Sequence, residues 1–598
     1  MKLLWMKPAE ETEAPYIAVY RCRFSLQEKA RLPIRFSADE RAQLFLDGKL
    51  IADGPERGAT EHWYFQDTVI EAEAGAHVLT ARVTCFGFQK WAYAQLSIRH
   101  GLWIHDSSET LKNWDYQIES GCSFEAGFPD WGALPRVHLG QSHNSEILFG
   151  TGGVWSPVEY FEDTRTLFPP DLPLMRHEET FPEKKENGLY YFPHYACVWA
   201  DYKFKGNGTV KIRWAETPYL DDFYDDRSLK GHKGNRDGSY FVGNFDTFEI
   251  NGELHWFDYW WHAGHYVQII TEGEVTVEPR FFQTGYPFPE VKPQSKLEAM
   301  ALETLQACSW ETYMDCPYYE QLMYISDSRL EALCTYKITD DHRLAAKALR
   351  MFSLSQRADG SFASQYPSRS NQTIPSFMLI WYLMLQDYYR LHGDDDLVKE
   401  VRPRGEILLD FLLKNRDENG LLSVEGWNFI DWCDGWKSGV PTGAEKVNSV
   451  MNWFFVMALK AMSEMKFRSG LDQLAEELKQ KIQEKFFDPS RNLYALDLEK
   501  KNFSEHSQIL ALLATGDTRV IPGLRNNDLT PCSISFSYYY LEACVKFGLE
   551  DLFQKRIARW IALQDEGLTT LPEEFVYPRS DCHAWSSHVL LFADKFRK

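Results

Sequence analysis

Leu32, Ile34 and Phe36 fall on alternate positions, the period of a strand with one face buried. Leu44-Phe45-Leu46, Asp47-Gly48 and Leu50-Ile51 then read as two strands joined by a tight turn. His77 to Cys85, after Gly75, is a further run of β-branched and apolar residues. Short strands at this spacing predict a β-sandwich or jelly-roll module over residues 1–150. Such a module serves equally as a scaffold or as a carbohydrate binder. A second β pattern covers residues 151–290. Val210-Lys211-Ile212-Arg213-Trp214 alternates after a turn expected at Gly206-Asn207-Gly208. Trp256 to Ile270 reads as an aromatic strand pair turned at Ala263-Gly264. Between them Pro218 to Gly238 is polar and carries Asp221, Asp222, Asp225, Asp226 and Asp237. Several oxygen ligands could hold calcium, but the regular spacing of a calcium loop is missing, so a solvated or groove-lining loop is expected.

Pro287, Pro289 and Pro293 mark Phe281 to Ser295 as a linker. Beyond it, over residues 291–598, apolar positions recur at helical spacing. One helix starts at Pro375, where the missing N–H costs nothing, and ends at Gly393. Asp395 to Asn415, Val447 to Lys466 and Leu471 to Phe487 are further helices. Similar turns follow several of them: Arg357 to Gly360, Arg416 to Gly420, Asp488 to Asn492 and Gln564 to Gly567. This spacing is that of a helical hairpin plus a loop, and the length of the region makes about six of them. Six hairpins close into an (α/α)6 barrel; a helical superhelix gives a similar pattern. The expected architecture is therefore multidomain, with jelly-roll-like β-sandwich modules followed by an all-α (α/α)6 barrel.

Composition narrows the partners. The formal charge is −22, from 64 basic and 86 acidic side chains among 598 residues. Phosphate backbones and anionic lipid repel such a chain, which sets nucleic acid and membrane surfaces aside. The apolar run Leu3 to Met6 is too short for a signal-peptide core, and no stretch has the length of a membrane span. The 11 cysteines are dispersed without a CxxC pair, as expected of reduced thiols in a cytoplasmic protein. Aromatic residues make up 15%, enough to fill sandwich cores, to stack on sugar rings, or both.

The densest candidate chemistry is Asp315-Cys316-Pro317-Tyr318-Tyr319-Glu320-Gln321-Leu322-Met323-Tyr324-Ile325-Ser326-Asp327. A carboxyl group set among tyrosine rings loses hydration, which raises its pKa and suits it to donate a proton. The plain alternative is a solvated acidic loop between helices. A second acidic stretch is Gly567-Leu568-Thr569-Thr570-Leu571-Pro572-Glu573-Glu574, followed by Ser580-Asp581-Cys582-His583. Glycoside hydrolysis needs two carboxyl groups flanking the scissile bond; the first candidate is Glu320, with Asp315 and Asp327 beside it, and the second lies in the set Glu573, Glu574 and Asp581. Between them, Glu425 to Trp436 holds Trp427, Asp431, Trp432 and Trp436, a sugar subsite or a buried tryptophan cluster. His583 could tune Glu573, bind a hydroxyl, or simply start a helix. Ser580, Asp581 and His583 are too close in sequence to converge as a triad, and no nucleophile elbow precedes them. No glycine-rich phosphate loop stands in strand–loop–helix context.

Asp315, Cys316, Pro317, Glu320 and Asp327 match without a gap the motif Asp-Cys-Pro-x-Arg-Glu-Arg-x-Gly-Trp-x-Gly-Asp. The chain thus resembles the inverting α-L-rhamnosidases, glycoside hydrolase family 78. Gly567, Thr569, Thr570 and Glu573 match a second motif of that family near the end of the barrel. The resemblance implies that Glu320 is the general acid and Glu573 the general base. It further implies that Asp315 and Asp327 bind the sugar, with Trp432 and His583 as pocket residues. Tyr319, Tyr324, Trp427 and Asp431 complete the set expected to contact substrate. Departures are plain: the motif's two arginines are Tyr319 and Gln321 here, its Gly-Trp is Met323-Tyr324, and Thr-Thr-x-Trp has become Thr-Thr-Leu-Pro. Inversion predicts carboxyl groups about 6.5–9.5 Å apart. Carboxylates suffice for this chemistry, so no cofactor and no metal are implied. The expected partner is a small glycoside, and a homo-oligomer is left open. Two other readings stand beside this one: a glucosidase or uronyl hydrolase on the same barrel, and a carbohydrate-binding relative without turnover.

Overall fold

The computed structural model describes residues 3–87, 94, 96–125, 136–220, 230, 240–370, 372–526 and 528–596. The five aspartates weighed as calcium ligands lie outside them.

Two sheets form the first sandwich. One orders its strands as Glu159–Asp163, Leu3–Lys7, Gly101–Asp106, Ala30–Asp39 and Gln66–Ala72. The other runs Ser156–Pro157, Asp115–Ile118, Tyr16–Leu26, Gly75–Cys85, Arg41–Leu46 and Lys49–Gly54. The alternating residues Ile34 and Phe36 pack with Tyr20, Leu44 and Val83 in one shared core, as the period-two pattern requires. Asp47 and Gly48 turn the hairpin with φ of 50° and 80°, the two positive angles of the favoured two-residue turn. Sheet membership does not change once at residue 150: Cys122–Glu125 and Arg136–Leu139 join a third sheet, the second β-unit, ordered Cys122–Glu125, Arg136–Leu139, Asp246–Phe257, Leu189–Ala215, His262–Gln283 and Glu178–Thr180, while 156–163 return to the first sandwich.

The third sheet departs from the expected turns at two points. Gly206 and Gly208 lie inside one continuous strand, Leu189–Ala215. A Cβ on either would stand 2.0 Å from the carbonyl oxygen of Glu274 or Glu272. These glycines admit a neighbouring backbone rather than turn the chain. Likewise Ala263 and Gly264 lie within strand His262–Gln283, opposite Cys197 and Ala196. The turn is at 258–261, where Trp260 and Trp261 pack on Trp310 of the helical region. A turn buried at an interface carries aromatic residues and so reads as strand.

The helical region opens with α1 (Lys296–Ala307) and α2 (Ile325–Ile338), then α3 (Arg343–Leu354), α4 (Pro375–His392), α5 (Asp396–Lys414), α6 (Ser449–Glu464) and α7 (Leu471–Phe486). It continues with α8 (Glu505–Thr515), the short α9 (Ile521–Leu524), α10 (Ser537–Phe547), α11 (Glu550–Leu563) and the tight helical segment Ala584–Phe592. Contacts run from α2 to α4, α6, α8 and α10 in turn, and Ala584–Phe592 touches both α10 and α2. The inner helices therefore close a ring, which rejects the open superhelix. The four marker turns follow α3, α5, α7 and α11, which stand outside that ring. Asp395 and Asn448 cap α5 and α6 by accepting from Val398 N–H and Met451 N–H, the local reason those helices start there.

Candidate active site

The loops that precede the inner helices converge at one end of the ring. Asp315 to Tyr324 leads into α2, Gln372 to Ile374 into α4, the tryptophan loop toward α6, and Glu573 to His583 into Ala584–Phe592. Together they enclose a cavity of about 160 Å³ lined by Asp315, Glu320, Tyr324, Asp327, Trp427, Trp432, Glu573 and His583. Arg579, Trp585, Phe377 and Phe429 complete its wall. Most of the side chains expected to act together are thus in one place. The exceptions are Tyr319 and Asp431.

The acidic loop closes on itself. Asp315 N–H donates to Leu322 O at 2.8 Å, and Asp315 Oδ1 accepts from Leu322 N–H at 3.0 Å. Both β-units hold this loop from outside. Arg57 of the first sandwich donates to Gln321 O at 3.3 Å and to Thr312 Oγ1 at 2.7 Å. Trp260 of the second β-unit donates its indole N–H to Gln321 Oε1 at 2.8 Å. Gln321, where the family motif has arginine, therefore anchors the loop through its amide and does not face the cavity.

Burial pushes the Glu320 carboxyl up; the Arg579 guanidinium opposes that and the Glu573 charge adds to it. Asp315 is pushed well above the usual range by burial and then by Glu320 and Asp327. Asp327 sits in the first turn of α2, where the helix N-terminus favours negative charge. His583 Nε2 lies 3.4 Å from Asp327 Oδ1, which pairs the histidine with Asp327.

The second carboxyl comes from a zipped loop. Glu573 N–H donates to Ser580 O at 3.0 Å, His583 N–H to Leu571 O at 2.9 Å, and Thr570 Oγ1 to Asp581 O at 2.7 Å. Thr569 Oγ1 donates to Glu303 Oε1 at 2.7 Å. The paired threonines of the motif thus fix the backbone that presents Glu573. Ser580 Oγ donates to Cys582 O and Asp581 pairs with Lys230 at 3.2 Å, so the two are engaged outside any nucleophilic triad.

Tyr319 lies behind the cavity wall, its ring 5.6 Å from the Arg579 guanidinium carbon. Asp431 does not line the cavity. Its Oδ2 takes His506 Nε2 at 2.7 Å and Ser533 N–H at 2.8 Å, and its Oδ1 accepts from Ser533 Oγ and from Trp432 N–H. It ties the tryptophan loop to α8 and to the segment before α10. Charge-assisted bonds to a buried carboxylate are individually strong. Asp431→Asn is expected to lower stability by about 2 kcal/mol, read as a fall in the urea midpoint. Trp427 and Trp432 form the aromatic wall with ring centroids 6.1 Å apart, and Phe377 and Phe429 continue it.

Two triads place possible metal-ligand atoms within 4.8 Å of one another: Asp315, Cys316 and His583, and Asp431, Cys433 and His506. Burial pushes both thiols up, away from the thiolate that binds metal, and hydrogen bonds already occupy Asp431. We assign no metal to either. Arg579 is the residue that sequence reasoning missed. A lone arginine in a polar loop reads as surface, and only the turn that pairs Glu573 with Ser580 brings it over the cavity.

Residues 292–515 match a family model described as the bacterial alpha-L-rhamnosidase 6 hairpin glycosidase domain. The chain is similar in structure to the GH78 family rhamnosidase of Bacillus sp. GL1, with TM-score 0.78 and 16% identity over 99% of this chain and 91% of that one. It is similar to an alpha-L-rhamnosidase from Dictyoglumus thermophilum, with TM-score 0.74 and 16% identity over 99% and 74%. It is also similar to a Streptomyces avermitilis alpha-L-rhamnosidase complexed with L-rhamnose, with TM-score 0.70 and 15% identity over 97% and 61%. No curated protein matches the sequence. Identities this low establish the fold, and the fold is the one expected: β-rich units followed by a six-hairpin helical domain.

Proposed function

We propose that this chain, whose helical half is a six-hairpin glycosidase domain, removes terminal α-L-rhamnose or a closely related sugar from small glycosides by an inverting acid/base reaction. Glu320 gives its proton to the leaving oxygen as the glycosidic C–O bond breaks. Glu573 takes a proton from the water whose oxygen bonds to the anomeric carbon. The observation that carries this reading is the meeting of Glu320 and Glu573 in one aromatic-walled cavity, with Glu320 pushed up by burial. Asp315, Asp327 and His583 line the same cavity and suit hydroxyl recognition, and Trp427 and Trp432 offer faces for a sugar ring.

Eleven thiols, none bridged, support action in a reducing cytoplasm, where substrates are small imported glycosides. Among the described residues no helix is long and apolar enough to cross a membrane. A second reading, another sugar on the same barrel, draws on Tyr324, which lines the cavity where the motif has tryptophan.

A panel of p-nitrophenyl glycosides tests both. Turnover is expected on the α-L-rhamnoside, and proton NMR of the fresh product should show the β-anomer first. An α-anomer formed first would reject inversion; preference for a glucoside or uronide would move the substrate; binding without turnover would make this a sugar-binding protein.

A further inference from the structure

Arg579 has no part in the assignment above, yet its guanidinium bonds one carboxyl group of the pair and stands near the other. Nη2 and Nε meet Glu573 Oε1 and Oε2 at 2.5 and 3.1 Å, and Nη1 lies 4.0 Å from Glu320 Oε1. We propose that Arg579 is the positioning residue that makes one carboxyl of the pair the base and leaves the other the acid. This rests on the reading of Glu320 and Glu573 as a catalytic pair.

The contacts of Arg579 are asymmetric. A planar guanidinium holds a carboxylate in place when both oxygens are engaged. Glu573 receives that grip and Glu320 does not. Glu573 is fully buried, and a buried carboxylate keeps its charge only beside a partner. Glu320, out of reach of a direct bond, feels the cation more weakly and the Glu573 anion as a neighbour. One cation placed off-centre therefore drives the two protonation states apart, which is what an acid and a base side by side need.

Arg579 is held to this position. Its guanidinium carbon lies 5.6 Å from the Tyr319 ring and 5.7 Å from the Trp432 ring. Its carbonyl accepts from Lys230 Nζ at 2.9 Å, and Lys230 in turn meets Asp581 at 3.2 Å and Glu216 at 3.8 Å. The other charged or titratable groups facing the pair are Tyr319 beside both carboxyls, Asp315, Cys316 and Tyr324 beside Glu320, and His583 with Asp327. Arg579 grips Glu573 through two hydrogen bonds and stands off Glu320, so the split is assigned to Arg579. The position also explains how Tyr319 is tolerated where the motif has arginine: the cation comes from the far end of the domain.

The test is the pH–rate profile of the full chain and its Arg579→Gln variant. Glu573 must be ionised, so activity falls as pH drops through its titration. Glu320 must be protonated, so activity falls as pH rises through its own. Removing the cation raises both, and the closer one more. The acid limb is expected to move up by about one to three pH units and the basic limb by less, narrowing the bell. Arg579→Lys keeps the charge but cannot grip both oxygens, so a smaller shift in the same direction is expected. An acid limb at the wild-type position in whichever variant folds would overturn the proposal. Infrared difference titration of the carboxyl bands, assigned with Glu320→Gln and Glu573→Gln, reads the same ionisations without substrate. A protein inactive on every glycoside yet showing the infrared shift would overturn the hydrolase reading and keep the splitting role of Arg579. Activity with unshifted bands would do the reverse.

Discussion

Glu320→Gln is expected to lower kcat/KM on an alkyl α-L-rhamnoside by about 10³–10⁴-fold, the upper range for removal of a general acid and about 4–5 kcal/mol of transition-state stabilisation. The amide keeps the size and the neighbours of the acid but has no proton to give. An alkoxide leaves poorly without that proton, whereas p-nitrophenolate leaves well, so the loss on the aryl substrate should be smaller by one or more powers of ten. The variant should also lose the basic limb of the pH–rate profile. In the wild type, burial raises Glu320, so activity is present below its raised titration and is lost as pH climbs through it. A Gln variant that keeps wild-type kcat/KM on the alkyl glycoside would move the acid elsewhere and undo the assignment.

Glu573→Gln should cost about as much, 10³-fold or more, but with a different signature. Water activation is independent of the leaving group, so alkyl and aryl substrates should suffer alike. The acid limb of the profile should disappear, because the group that had to be ionised is gone. Sodium azide, a nucleophile that needs no base, should restore turnover in Glu573→Ala and yield the β-glycosyl azide, with inversion. Restoration with the α-azide instead would make Glu573 the acid/base residue of a retaining enzyme, the azide then displacing a different carboxylate from a glycosyl-enzyme intermediate. Loss of this partner also leaves Arg579 without its bidentate carboxylate, so a thermal melt must accompany the kinetics.

The helical half was the more legible part of the chain. Apolar positions at helical spacing, Pro375 at a start, and polar turns after successive helices are local signals, and α3, α5, α7 and α11 ended where those turns lie. That Glu320 and Glu573 meet in one cavity was legible because motif spacing fixes the residues on either side of them. Pairings made across the chain were not. Gly206 and Gly208 signal a turn unless the backbone of Glu272 to Glu274 is known to cross them. Asp431 looks like any acid in a tryptophan-rich loop until His506 and Ser533, far along the chain, take up its oxygens. Arg579 carries no signal at all in one dimension; its meaning comes from the carboxylate folded beneath it.

The hold that Arg57 and Trp260 keep on Gln321 bears on modularity. Two β-units that could pass for dispensable appendages supply part of the mould in which the Glu320 loop is cast. The helical domain is thus not a cassette that can be lifted out with its active site intact. Anyone grafting this catalyst, or shuffling it between proteins, has to carry both β-units along as one inheritance.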